Sequence, residues 1–148
     1  MSNKSEKAVE LFAKGFNCSQ AVLTAFADEL GLDEDFTLKL GTSFGSGARN
    51  GEICGAVSGA LMVLSLKYGH CHEDKEEEKA ANMAVTTEYT KRFREANGSI
   101  VCRDLLGYDL SKPDELAVIR EKGLFTDICP KMIKSAVEVL EELLAEQK

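Results

Sequence analysis

Four of the five cysteines in this chain stand where a helix is expected to begin. They are Cys18 in Gly-Phe-Asn-Cys-Ser-Gln-Ala-Val, Cys54 in Gly-Glu-Ile-Cys-Gly-Ala-Val-Ser-Gly, Cys102 in Gly-Ser-Ile-Val-Cys-Arg-Asp-Leu-Leu and Cys129 in Thr-Asp-Ile-Cys-Pro-Lys-Met-Ile. The start of a helix presents unpaired N–H groups and the positive end of the macrodipole. A thiol held there is biased toward thiolate, the form that attacks disulfides and binds metals. Arg103 follows Cys102 and Lys131 lies two residues after Cys129, so each has a cation nearby that favours the thiolate further. Pro130 fixes the backbone beside Cys129.

No two cysteines form Cys-x-x-Cys, which removes a thioredoxin motif and a zinc ribbon. Any common site must be assembled by folding. Three chemistries fit four such thiols. In the first, thiol–disulfide or electron-transfer redox work, Cys54 or Cys18 attacks and another of the set resolves the mixed disulfide. In the second, Cys18, Cys54, Cys102 and Cys129 together hold a metal ion or an iron–sulfur cluster. In the third, they only pack inside a helical binding or assembly module, as buried free cysteines commonly do. Redox chemistry, the work of a thiol-based oxidoreductase, is the leading expectation, and the three pairings that four cysteines allow stay open.

A glycine-rich stretch, Gly41-Thr-Ser-Phe-Gly-Ser-Gly-Ala-Arg-Asn-Gly51, leads into Cys54. Its glycines permit tight turns and close approach of backbone to a ligand, and Arg49 could add charge to an anion nest. The stretch has no Lys-Ser/Thr ending and no preceding strand, so it is not a P-loop. It reads as a connector or as a lid over Cys54. Gly55, Gly59 and Arg49 are the candidate cofactor contacts. Cys71 sits between His70 and His72, the only histidines, which suggests a metal site, a Cys–His dyad or simply a surface loop.

The elements that must position these residues are helical almost throughout. Ser5 is expected to cap a first helix bearing Ala8, Val9, Leu11 and Phe12, closed by Gly15. The second spans Cys18 to Leu30, and a short third starts near Asp33 and holds Phe36, Leu38 and Leu40. A fourth opens at Cys54 and runs to about Lys67. Gly55, Ala56, Ser58, Gly59 and Ala60 crowd its first turns, so another backbone can approach closely and the helix should be central. Lys75–Ala96, Val101–Leu106, a segment from Ser111 to Gly123, and a last helix from Pro130 with Cys129 as its cap complete the pattern. The expected fold is a single all-α domain over residues 1–148, a bundle of about six to eight helices.

The net charge of −7, with 18 Lys and Arg against 25 Asp and Glu, argues against nucleic acid as a partner. The N-terminus has no apolar core of a signal peptide, and Ala56–Leu66 is too short to span a bilayer. These observations predict a cytoplasmic protein, where cysteines are more often catalytic or metal-binding than bridged. An acidic bundle with one long amphipathic helix is compatible with a homodimer.

Cys18, then Cys54-Gly55-Ala56-Val57-Ser58-Gly59, then single cysteines at 102 and 129 resemble the C_GCAxxG_C_C family of bacterial and archaeal proteins. The resemblance covers nearly the whole chain and implies redox activity at those four cysteines, with an unknown redox partner protein or small-molecule substrate. The family is distantly similar to split-Soret cytochromes, but this chain lacks the Cys-x-x-Cys-His that covalent haem needs. Some relatives carry an export signal, which is absent here, and Cys71 lies outside the four-cysteine pattern.

Overall fold

A computed structural model describes residues 2–147. The first helix, α1 (Asn3–Ala13), is capped by Ser2 rather than Ser5: the Ser2 hydroxyl accepts the Ser5 N–H at 3.1 Å. Ser5 is fully buried in the first turn, and its own hydroxyl donates to the Ser2 carbonyl. Next, α2 (Cys18–Ala25) opens with a reciprocal cap, in which the Asn17 side chain accepts the Gln20 N–H and the Gln20 side chain accepts the Asn17 N–H. The expected continuation to Leu30 is interrupted at Phe26, and the chain resumes as α3 (Ala27–Leu30), ended by left-handed Gly31. Then come α4 (Glu34–Gly41), α5 (Gly55–Tyr68), α6 (Glu76–Asn97), α7 (Cys102–Leu106), α8 (Pro113–Glu121), α9 (Leu124–Asp127) and α10 (Cys129–Glu146).

The all-α class is as expected. The described residues hold ten α-helical segments rather than six to eight, because of the break at Phe26 and the single turn α9. Among these residues no helix is long and apolar enough to cross a membrane.

Helix α5 is apolar on almost every side and lies at the centre, packed on α2, α6 and α10. Its small residues set that contact. A Cβ at Gly59 would stand 2.8 Å from the Ser19 carbonyl oxygen of α2. Gly59→Ala is therefore an overpacking change at a helix crossing, with an expected cost of about 1–3 kcal/mol. It should appear as a lower urea midpoint at unchanged slope. Across the core, Tyr89 of α6 donates its buried hydroxyl to the Ala136 carbonyl of α10 at 2.9 Å, tying those helices in register.

Two groups of buried apolar side chains result. The larger lies among α1, α2, α5, α6 and α10 and includes Cys18 and Cys54. The smaller, built on Cys102, Leu106, Leu110 and Ile119, belongs to the α7–α8 region. Cys129 packs against both. One short antiparallel bridge, Ile53 to Val101, joins the two regions. In it the Cys54 N–H donates to the Ile100 carbonyl at 2.8 Å, and the Cys102 N–H donates to the Glu52 carbonyl at 2.6 Å. The chain thus enters α5 and α7 from one paired segment, with a cysteine at each entry.

The glycine-rich stretch is more ordered than a connector. After a 3₁₀ turn at Thr42–Phe44, four successive residues take left-handed backbone: Ser46 (φ 57°), Gly47 (φ 61°), Ala48 (φ 56°) and Arg49 (φ 62°). Residues with a Cβ cost roughly 1–2 kcal/mol each in that region. Three of them occur here in one turn.

Candidate functional site

The starts of α2, α5, α7 and α10 converge, and all four of their cysteines line one cavity of about 60 Å³. The remaining wall is almost wholly apolar, including Phe12, Phe125, Ile128 and Met132, and no charged side chain lines it. Cys18, Cys54 and Cys102 are buried, whereas Cys129 is half-buried.

Placement at a helix start does not make these thiols uniformly acidic. Cys54 does feel the N–H groups of Ala56 and Val57, which favour its thiolate, but burial outweighs them and pushes its pKa up to about 11. Burial, then the neighbouring Cys54 and Cys129, push Cys102 up to about 12. Arg103 opposes that shift only weakly. Its guanidinium is held by Glu52 at 2.8 Å and by the Gly51 carbonyl at 3.2 Å.

Cys18 and Cys129 behave as a pair. Their mutual hydrogen bond is the largest influence on each, raising Cys18 well above the ordinary thiol range and lowering Cys129. The physical content is that the Cys18 thiol keeps its proton and, turned toward Cys129, favours the thiolate form of that sulfur. Of the four, only Cys129 is lowered; the expected attackers, Cys54 and Cys18, are both raised, as is Cys102. Lys131 is not the cause of the Cys129 shift, since its ammonium is exposed and lies 3.7 Å from Asp127. Nor is the start of α10 a free pole: Ile128 is already in right-handed helical conformation and its N–H is bonded to the Leu124 carbonyl. The Cys18 thiol does what the helix terminus was expected to do.

Residues 16–143 match the sequence profile of a family described as "Putative redox-active protein (C_GCAxxG_C_C)". The chain belongs to the C_GCAxxG_C_C family. No curated protein and no solved structure matches it. The family description names four cysteines, and four of this chain's five line the cavity; the fifth, Cys71, stands exposed with His70 and His72 in the loop between α5 and α6.

The glycines of the family word have distinct places. Gly55 borders the cavity, and a Cβ there would stand 3.2 Å from the Cys18 Cβ and 3.0 Å from the Gly45 Cα. Gly59 lies one turn further on, against α2, and Arg49 is exposed in the left-handed turn. Sequence reasoning missed Met132, whose thioether joins the sulfur-rich wall. Its signal was present: it follows Cys129 by three residues and so shares its helix face.

The donors around this C_GCAxxG_C_C cavity are mainly soft sulfur, with Asn17 and Ser46 the only other polar side chains in the wall, and thiolates are the type that takes copper(I), zinc or iron–sulfur clusters. Its geometry is not that of a ready ligand cage. Among the described residues no three His, Cys, Asp or Glu side chains are placed to hold one metal ion. The bridge also leaves Cys54 and Cys102 as diagonal neighbours across it. Such pairs have Cα atoms about 7–8 Å apart, at or beyond the span of a disulfide.

Proposed function

We propose that this protein is a dithiol–disulfide oxidoreductase in which Cys129 attacks and Cys18 resolves. The observation that supports it most is that Cys18 and Cys129 line one cavity, Cys18 buried and Cys129 half-buried, where each shifts the other, Cys129 down and Cys18 up. A substrate disulfide, from a small molecule or a partner protein, approaches the half-buried Cys129. The Cys129 thiolate attacks one substrate sulfur and expels the other as a thiolate, giving a mixed disulfide. Once the negative charge of Cys129 is consumed, the largest influence holding the proton on Cys18 is gone and only burial still opposes its loss. Cys18 then deprotonates and attacks the Cys129 sulfur, forming Cys18–Cys129 and releasing the second substrate thiol. Two protein thiols are oxidised and one substrate disulfide is reduced.

Cys54 and Cys102 stay protonated through this cycle, because burial keeps them neutral near pH 7. Their neutrality leaves Cys129 as the one thiolate the uncharged cavity must accommodate. All five cysteines are free, the resting state that a reducing cytoplasm maintains.

The test is to oxidise the reduced protein with one equivalent of an aromatic disulfide and map the linked peptides without reduction. The expected product is Cys18 joined to Cys129. A Cys54–Cys102 bridge as the first product, or four thiols that survive oxidation unchanged, overturns this assignment.

A further inference from the structure

We infer that the left-handed turn over residues 46–49 is a strained gate that closes the cysteine cavity and opens by relaxing its backbone. The inference rests on the cavity being the reactive site, and adds how that site is reached.

Three observations carry it. First, the turn stands between the cavity and solvent. Ser46 lines the cavity, Gly45, Gly47 and Gly51 are buried, and Ala48, Arg49 and Asn50 face outward. Secondly, its conformation is held against its own preference. Side chains with a Cβ visit the left-handed region singly, not in runs, and here Ser46, Ala48 and Arg49 all occupy it around Gly47. The competing right-handed or extended states are therefore near in free energy, and moving to either carries Ser46 away from the cavity.

Thirdly, few hydrogen bonds fasten the closed form: at the entry Asn17 donates to the Thr42 carbonyl at 2.9 Å, within the turn Asn50 donates to the Ala48 carbonyl at 2.8 Å, and the others lie at its exit. The Glu52 N–H bonds the Gly47 carbonyl at 3.2 Å. Arg103 of α7 reaches back to the Gly51 carbonyl at 3.2 Å and pairs with Glu52 at 2.8 Å. The remaining cavity walls come from α1, α2, α5, α7, α9 and α10, anchored in the two apolar clusters. The turn is the part of the wall that can move without breaking those clusters.

Two substitutions push this gate in opposite directions. Ala48→Gly removes the penalty of a Cβ in left-handed backbone and favours the closed state, although glycine ordinarily loosens a loop. Gly47→Ala disfavours it, because at φ 61° the added Cβ would fall on the Glu52 backbone nitrogen.

The readout is the rate at which N-ethylmaleimide labels Cys18, Cys54 and Cys102 in the full chain, resolved by peptide mass spectrometry. The exposed Cys71 serves as the internal standard. Relative to Cys71, Ala48→Gly should slow the three by about fivefold, the lower end of what one left-handed residue costs. Gly47→Ala should speed them by at least about tenfold.

Faster labelling in Ala48→Gly, or rates unchanged in both variants, overturns the gate. So does a change in labelling matched by an equal change in exchange of the buried α6 and α10 amides, since that is whole-fold opening. If Gly47→Ala does not fold, Ala48→Gly decides alone. Labelling reads access and not redox state. A gate that fails here leaves the Cys18–Cys129 pairing test standing, and the reverse also holds.

Discussion

Cys18→Ser protein, mixed with an excess of an aromatic disulfide, is expected to stop at a stable mixed disulfide on Cys129, whereas Cys129→Ser protein forms no such adduct in the cavity. The two variants differ because the two sulfurs do different work. A serine at 18 removes the resolving nucleophile. It can still donate a hydrogen bond to Cys129, since an O–H is a better donor than an S–H. The attacking thiolate therefore survives while its successor step does not.

A serine at 129 removes the one thiol whose pKa is lowered. Cys18 then loses the neighbouring negative charge and the hydrogen bond that raised it, but burial still opposes its ionisation. Cys54 and Cys102 stand at about 11 and about 12. Near pH 7 their thiolate fractions are on the order of one in ten thousand or less, set by one decade per pKa unit. With the exposed Cys71 replaced by serine in every protein compared, initial release of the coloured thiol should fall at least about a hundredfold in Cys129→Ser. In Cys18→Ser the first equivalent is released at near the unmodified rate, and the second is missing. Intact mass separates the cases, because only Cys18→Ser retains the half-substrate. If Cys129→Ser reacts as fast as the unmodified chain, Cys129 is not the attacking residue.

Much of the scaffold was legible in local words. Helix ends are punctuated by residues whose backbone preferences are strong: Asn17 and Gln20 as a reciprocal cap, and Gly31, Gly98, Gly107 and Gly123 with positive φ. The four cysteines do fall at helix starts because those starts are themselves marked in the sequence. The crowding of small residues in α5 correctly signalled a close helix crossing, since Gly59 meets the backbone of α2.

What was not legible is what depends on distance through space. The break at Phe26, where the backbone leaves the helical region with the ring wholly buried, is announced by no period along the chain. Cys54 shows the same limit electrostatically. Its local sequence supplies helix N–H groups that favour a thiolate, and they are present, but the surrounding core removes water and reverses the sign. Cys129 shows the converse. Its acidity comes from Cys18, more than a hundred residues earlier in the chain. The adjacent Lys131, which looked like the cause, is engaged at the surface with Asp127. A run of left-handed residues was equally hidden, because Ala48 and Arg49 carry no preference for it.

Burial of neutral thiols also makes the fold sensitive to alkali, with a sign that follows from the same shifts. In the unfolded chain Cys54 loses its proton near pH 8.5–9, the ordinary thiol range, but in the folded chain it keeps it to about 11. Between those limits the folded state binds the extra proton, so stability is full below about pH 8.5 and falls as pH rises to 11. Two pKa units correspond to about 3 kcal/mol from this residue alone. Cys102 acts in the same direction with a window reaching about 12.

Cys129 has the opposite sign: its lowered pKa makes the folded state release its proton first, which adds stability as pH rises toward 9. Urea midpoints measured under reducing conditions should therefore peak just below pH 9 and drop steeply by pH 11. Tyr89, buried with a raised pKa, contributes to the alkaline fall as well, so the decisive quantity is a difference between proteins. Cys54→Ala lowers stability at pH 7 by vacating part of the core, yet it should lose about 3 kcal/mol less than the unmodified chain between pH 8.5 and 11. Parallel curves for the two proteins would mean that Cys54 ionises as freely folded as unfolded, and that the cavity is wet rather than the dry, uncharged enclosure on which the Cys18–Cys129 proton arrangement depends.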